Sequence, residues 1–375
     1  KTKDEQGREY FAYGGDLKGY NKMNDGNFCM DGVIAPDQTY MPHTHIVKKV
    51  YQNIMFKAKD LDNGIITVIN DYKFTDLTAK NYTYKWVLLK NGEKVAEQNF
   101  EATVPADTQK DVKLNLPAIS FEAGTEYYLQ VFAYNKEKTE FLPAGFEVAK
   151  EEFAFAKNQY FAKKNYSGAL NVEKTDDKII IKLGSLNYEF SAKDGKSLMS
   201  VTNDGKRVFE ELPRLNFWRD PTDNDFGDWS QYRLRLWDAA GHNLIYTYKG
   251  MQETADGTSI SYLAKLRGIE AQVEITYLVN KDGSLTTTAH YQALSDDLPE
   301  MMRFGMLMTL PKEYDNFTWY GRGPWENYVD RHHDTFMGVW TGDVEEQAYP
   351  YFRPQETGNK TDVRWLTLID KNNSG

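Results

Sequence analysis

From about residue 51 onward, apolar and polar positions alternate with a period of two. NIMFKAKD, GIITVINDYKF, YTYKWVLLKNGEKV, TQKDVKLNLP and TEYYLQVFAYNK each combine β-branched and aromatic residues between turn formers, which is the pattern of strands. Lys90–Glu93 reads KNGE, an Asn-Gly hairpin signal. Trp86 lies mid-strand and is expected in a core. Five to seven short strands in about 100 residues predict a β-sandwich. AKEEFAFAKN, near residue 150, reads as a linker. Beyond it the strands lengthen. DKIIIKLGSLNYEFSAKDGKSLMSVTNDGKRVF reads as three strands joined by Lys-Asp-Gly and Asn-Asp-Gly turns, and TSISYLAKL, AQVEITYLVNKDGSLTTTAHYQAL and MRFGMLMTL continue the style. Helical periodicity is nearly absent, so the last ~225 residues predict one large two-layer β domain. Residues 1–41 differ. YGGDLKGYNKMNDGNFCMDG is rich in Gly, Asn and Asp, a composition of turns and irregular loops. A short helix is expected from about His43 to Gln52.

Composition narrows the class. A chain of 375 residues accommodates two or three domains. Lys and Arg number 45 against 55 Asp and Glu, a net charge of −10 that repels phosphate backbones and argues against nucleic-acid binding. No stretch approaches the ~20 apolar residues of a membrane span. The single cysteine, Cys29, excludes an internal disulfide framework and a Cys-based zinc cluster, and leaves the compartment open between bacterial periplasm and cytoplasm. The start KTKDEQGREYFAYGGD, without Met, and the end LIDKNNSG, directly after a strand-like run, are read as cuts in a longer polypeptide.

Candidate chemistry is sparse. The six histidines, His43, His45, His242, His290, His332 and His333, form no HExxH or other metal spacing, and the adjacent pair is expected to diverge. There is no phosphate loop and no GxSxG elbow. Two segments stand out. FWRDPTDNDFG (217–227) crowds acidic residues beside aromatics, and TWYGRGPWENYVDRHH (318–333) combines aromatics, arginines and a glutamate. Such loops could bind Ca²⁺ or a sugar. Alternatively their Asp and Asn side chains satisfy tight turns while Arg219, Arg322 and Arg331 pair with carboxylates.

The order of segments resembles one family closely. AYGGD, then NDGNFCMDGVIAPDQT, then FWRDPTDNDFG, then WYGRGPWENYVDR looks like the C-terminal half of the large β-galactosidases of glycoside hydrolase family 2. The resemblance covers essentially the whole chain. It implies a mainly β protein: the end of a (β/α)₈ catalytic barrel over 1–50, an immunoglobulin-like β-sandwich over 51–148, and a galactose-mutarotase-like β-supersandwich over 149–375, C-terminally incomplete. It also implies retaining hydrolysis of terminal β-galactosides by two glutamates about 5 Å apart. Both glutamates, and the magnesium ligands, belong upstream of this chain in the family. The chain alone is therefore expected to be inactive and to hold no cofactor, with magnesium and sodium or potassium belonging to the whole enzyme, itself expected to be a homo-oligomer.

By the same resemblance, Phe28 lines the galactose pocket and offers its carbonyl to a monovalent cation. Asp31 matches a position often occupied by Asn that contacts the cation through its side-chain oxygen, with an added negative charge here. The family's late aromatic platform lies beyond residue 375, so Trp218, Trp229, Trp319 and Trp325 are read as structural. Two other readings are open: a stand-alone carbohydrate-binding β module, and a mutarotase-like site drawing on His242, His290 and Glu326.

Overall fold

The computed structural model describes residues 1–17, 23–26, 30 and 32–370. The chain divides into two compact units, one of residues 1–163 with 315–375 and one of residues 164–314. These units follow packing, whereas the limits at 50, 148 and 149 follow sequence continuity.

In the first unit, the alternating segments become antiparallel strands. Ile54–Asp60, Ile65–Asn70 and Thr108–Lys113 form a three-stranded sheet. Glu93–Phe100, Tyr82–Lys90, Tyr127–Asn135 and Glu147–Ala154 form a four-stranded one, in that spatial order. Their facing side chains make one core around Ile54, Val68, Trp86, Leu129 and Val131. Trp86 is 2% exposed, as its mid-strand position predicts. The KNGE hairpin is present. Asn91 and Gly92 both have positive φ (49° and 83°), the type I′ geometry that matches strand twist.

Tyr82–Lys90 is buried on both faces, and period two explains how. Tyr84, Trp86 and Leu88 point into the sandwich core. Val87 and Leu89 point the other way, onto Tyr128, Tyr320 and Met337. The last two belong to a third sheet, Phe336–Asp343, Asn316–Gly323 and Trp365–Ile369. A polar seam locks this sheet in place. Arg364 grips Glu126 with two hydrogen bonds of 2.9 and 3.0 Å, Gln130 donates to the Met337 carbonyl at 2.9 Å, and the Met337 N–H donates to Glu152 at 2.8 Å.

The presumed linker is a correction. Glu147–Ala154 is a strand paired with Tyr127–Asn135. Its charges are absorbed by specific partners: Lys150 donates to the Asp334 carbonyl at 2.7 Å, and Glu151 pairs with Lys49 at 2.8 Å. Polar composition here reflects these pairings, which the local sequence does not display.

Within residues 1–50 the chain is irregular, with a two-residue strand pair at Thr2–Lys3 and Glu9–Tyr10 and then the helix Pro42–Val50. Proline at the first helical position suits a place where no N–H is needed.

The second unit packs a five-stranded sheet (Asn171–Lys174, Lys178–Leu183, Leu186–Ser191, Leu198–Asn203, Lys206–Arg207) and a four-stranded one (Leu244–Glu253, Gly257–Leu266, Ala271–Asn280, Leu285–Ala293) around Ile181, Phe190, Tyr262, Ile275 and Tyr277. A two-stranded sheet, Glu211–Asn216 with Gly305–Thr309, completes it. The run beginning at Asp177 gives four strands rather than three, because Gly184 (φ 58°) supports an additional turn before Leu186. Three short helices also appear, Asp223–Gly227, Ser230–Arg233 and Leu236–His242. None is long enough to display a helical period. Among the described residues, no helix is long and apolar enough to cross a membrane.

Candidate functional site

Phe28 and Asp31, the substrate and cation residues expected by resemblance, lie outside the described residues, as does Cys29. The structure describes what holds the chain on either side of them. Upstream, Gly14 adopts φ 50°, and a Cβ there would sit 2.6 Å from the Asn24 Oδ1. That oxygen accepts the Gly26 N–H at 3.1 Å. Downstream, the helix Pro42–Val50 clamps the chain. The Thr44 hydroxyl donates to the Val33 carbonyl and accepts the Met41 N–H at 3.1 Å. His43 is half-buried, which pushes its pKa down although a hydrogen bond with the Gly32 backbone opposes this. Asp37 ties the intervening turn to Lys1 at 2.7 Å, and the lysine together with Thr39 holds its carboxyl at about 2.

Beside this clamp lies a cleft of about 360 Å³ lined by Lys1, Phe11, Tyr13, Asp16, Tyr351 and Phe352. Phe11 and Phe352 meet edge to face, with ring centroids 4.6 Å apart. Tyr351 also joins the interaction network of the second conspicuous segment. There Glu326 is 4% exposed. One of its oxygens accepts from Arg331 and the Tyr351 hydroxyl. The other accepts from the Thr357 hydroxyl and the Gly358 N–H, both at 2.7 Å. Burial pushes its pKa up, but these four donors more than offset that and the net shift is downward. The carboxylate thus ties together Arg331, Tyr351, Thr357 and Gly358. Asn327 repeats the theme with its side chain and backbone, bonding Arg322, Trp325, Asn359 and Thr361. Trp325 donates to Asp334 at 2.7 Å and stacks on His45, with centroids 3.7 Å apart.

The three arginine pairings expected from sequence are all present. Arg219 binds Asp225 at 2.6 Å, Arg322 binds Asp362 at 2.7 Å, and Arg331 binds Glu326. In 217–227, Thr222 and Asp225 form a reciprocal capping box for the short helix that follows. Both segments thus use their charges to hold backbone. His242 contacts Asp238 at 3.5 Å on its own helix, and His290 is exposed on Leu285–Ala293. His332 and His333 do not diverge; their rings sit 4.8 Å apart. Among the described residues, no three His, Cys, Asp or Glu side chains are grouped to hold a metal ion. Of the tryptophans read as structural, Trp319 is 2% exposed, whereas Trp229 is 68% exposed. Nothing in the local sequence signals that exposure.

An antiparallel sandwich and a further β unit, with short helices and polar clusters bonded to backbone, define a mainly β class of protein. The chain belongs to the β-galactosidases of glycosyl hydrolase family 2 and corresponds to their C-terminal portion. Residues 182–374 match the β-galactosidase small chain, residues 66–156 match β-galactosidase domain 4, and residues 1–56 match the family 2 TIM barrel domain. The chain is 34% identical over 373 residues to a β-galactosidase of Priestia megaterium, covering 99% of this chain and 36% of that protein. It is 29% identical over 370 residues to that of Streptococcus thermophilus (98% and 35%), and 30% identical over 376 residues to that of Halalkalibacterium halodurans (100% and 36%). The chain thus spans roughly a third of the length of these relatives. The mainly β fold with a short barrel remnant agrees with the architecture expected from sequence.

Proposed function

We propose that this chain is the noncatalytic C-terminal part of a retaining β-galactosidase that hydrolyses terminal β-D-galactosides. The observation that carries this is the order of matches, barrel end, domain 4 and small chain, along residues 1–56, 66–156 and 182–374. The two glutamates of the reaction, a nucleophile and an acid/base about 5 Å apart, would come from earlier barrel strands. In this reading residues 1–50 close the barrel, 51–148 form the immunoglobulin-like sandwich and 149–375 belong to the supersandwich.

Phe28 would line the galactose pocket, and its carbonyl with the Asp31 carboxylate would face a monovalent cation. The described residues alone offer no metal-binding cluster, so this reading rests on those two residues. The described chain on either side of them is tied by hydrogen bonds at Asn24 and Thr44. Magnesium would belong with the upstream acid/base. The partner is a β-galactoside or galactose-ended oligosaccharide, and the whole enzyme would assemble as a homo-oligomer.

The test is hydrolysis of a chromogenic β-galactoside by this polypeptide, alone and mixed with the N-terminal portion of the enzyme. Inactivity alone with activity on mixing is expected. Activity of the chain alone would place the catalytic carboxylates inside these residues and overturn the reading. In the reconstituted enzyme, Asp31→Ala is expected to raise KM and abolish any sodium response; unchanged values would remove Asp31 from the site.

A further inference from the structure

Two glutamates of the sandwich meet two arginines of the third sheet across the seam of the first unit. One pair is closed: Glu126 receives the Arg364 guanidinium at 2.9 and 3.0 Å. The other is open. The Glu152 Oε2 accepts the side-chain N–H of Gln130 at 2.9 Å and the backbone N–H of Met337 at 2.8 Å. Its Oε1 is buried and has no hydrogen-bond partner among the described residues. The Arg322 Nη1 stands 3.5 Å from that oxygen. A buried acceptor left without a donor is costly, so the gap needs a cause.

Arg322 is held elsewhere. Its Nε donates to Asp362 at 2.7 Å and its Nη1 to the Thr335 carbonyl at 2.8 Å. Nη1 carries two N–H groups, so one is left after Thr335 is served. The Glu152 side chain is 5% exposed, and burial pushes its pKa up to about 7. A neutral carboxyl offers Arg322 no charge to close on. An ionised one would meet a guanidinium in dry surroundings, where a charge-assisted hydrogen bond is strong. Asp362 pulls from the other side, but its side chain is 45% exposed and water screens it. The remaining groups around Glu152 are committed. On its own strand, Lys150 donates to the Asp334 carbonyl at 2.7 Å and Glu151 pairs with Lys49 at 2.8 Å. On Tyr127–Asn135, the Tyr128 hydroxyl donates to Glu126 at 3.3 Å, and burial raises its pKa. Phe336–Asp343 presents the Met337 N–H. His332 faces Arg322, Asp334 and Asp362, and burial pushes its pKa below 6.5.

We propose that Glu152 and Arg322 form a proton-operated latch between the sandwich and the third sheet. With the carboxyl neutral the pair stays open. Loss of its proton to solvent draws Nη1 onto Oε1. The latch joins the stretch that matches β-galactosidase domain 4 to the stretch that matches the small chain. It lies inside the seam and needs no free surface. Closing recovers only part of the cost of burying the charge, because the pKa stays above the ordinary carboxylate value. The latch therefore changes the geometry of the seam without stabilising the fold at high pH.

The experiment joins NMR and crystallography on the full chain and on Glu152→Gln, which keeps the size of the side chain and one acceptor oxygen. The Met337 amide proton reports the charge on Glu152, because it donates to Oε2. Its signal, identified by its loss in Met337→Leu, is expected to shift downfield as pH rises, with a midpoint of about 7, and to stay still in Glu152→Gln. Crystals of the unaltered chain are expected to keep Nη1 at 3.5 Å from Oε1 at about pH 5.5 and to bring it within about 3.0 Å at about pH 8.5. A closed pair at the higher pH only, with a Met337 shift that Glu152→Gln abolishes, supports the latch. Equal distances at both pH values overturn it, as does a Met337 amide that does not respond to pH. A shift that survives in Glu152→Gln belongs to another group, such as His332, and also overturns it.

Discussion

Glu126 and Glu152 line the same seam of the first unit, and their surroundings differ sharply. Glu126 receives a two-pronged guanidinium from Arg364 at 2.9 and 3.0 Å. Its side chain is 4% exposed, and removing the partner would leave a buried charge uncompensated. Arg364→Ala is expected to cost about 3–5 kcal/mol, read from urea denaturation. Glu152 receives N–H donors from Gln130 and Met337 on one oxygen only, with Arg322 no nearer than 3.5 Å. Burial therefore dominates and pushes its pKa up from 4.5 to about 7. Between those values the unfolded chain has released this proton and the folded chain retains it. The contribution of Glu152 to stability is full below about pH 4.5 and is lost as pH rises through about 7. Glu152→Gln is expected to flatten the pH dependence of the denaturation midpoint over that window. An unchanged profile would mean that Glu152 is ionised in the folded protein.

At the scale of elements, the turns carry specific obligations. Gly92 has φ 83°, and a Cβ added there would meet Tyr320 at 2.6 Å. Tyr320 is fully buried in its strand and cannot yield. Gly92→Ala combines a left-handed penalty with a clash and is expected to cost about 2–4 kcal/mol in chemical denaturation. Asn91→Gly suits the same turn but loses the Oδ1 that accepts the Glu126 N–H at 2.8 Å, and is expected to cost about 1 kcal/mol. The capping box of Asp223–Gly227 makes a milder prediction. Thr222→Ala removes the hydroxyl that caps Asp225 and is expected to cost about 1 kcal/mol, seen as a small fall in melting temperature.

For the whole molecule, the cores are separate. Ile181, Phe190, Tyr262 and Tyr277 belong to one cluster confined to the second unit, and Trp86, Val68 and Leu129 to another in the first. Residues 164–314 expressed alone are therefore expected to unfold in one cooperative calorimetric transition, and Phe190→Ala to weaken that transition by about 3–5 kcal/mol. A broad, non-cooperative melt of this piece would show that its core needs the remainder of the chain.

Period-two alternation, a local property, made the strands from Ile54 to Asn135 and the Asn91-Gly92 turn legible in sequence. So were the roles of Arg219, Arg322 and Arg331, because a guanidinium amid acidic loops has few other places to go. Family membership was legible in the order of its motifs, and with it the expectation for Phe28 and Asp31. What alternation cannot state is which strand lies beside which. Glu147–Ala154 looked like a linker because its polarity is satisfied by Lys49, Asp334 and Met337, all distant in sequence. The double burial of Tyr82–Lys90, the saturation of Glu326 and the exposure of Trp229 likewise depend on residues brought together only by folding. Periodicity is set by neighbours along the chain, whereas burial and pKa are set by neighbours in space. The sequence by itself therefore determined most of the strands and the family. Only the tertiary structure decided which charges are compensated, which carboxyl holds its proton and which aromatic rings face solvent.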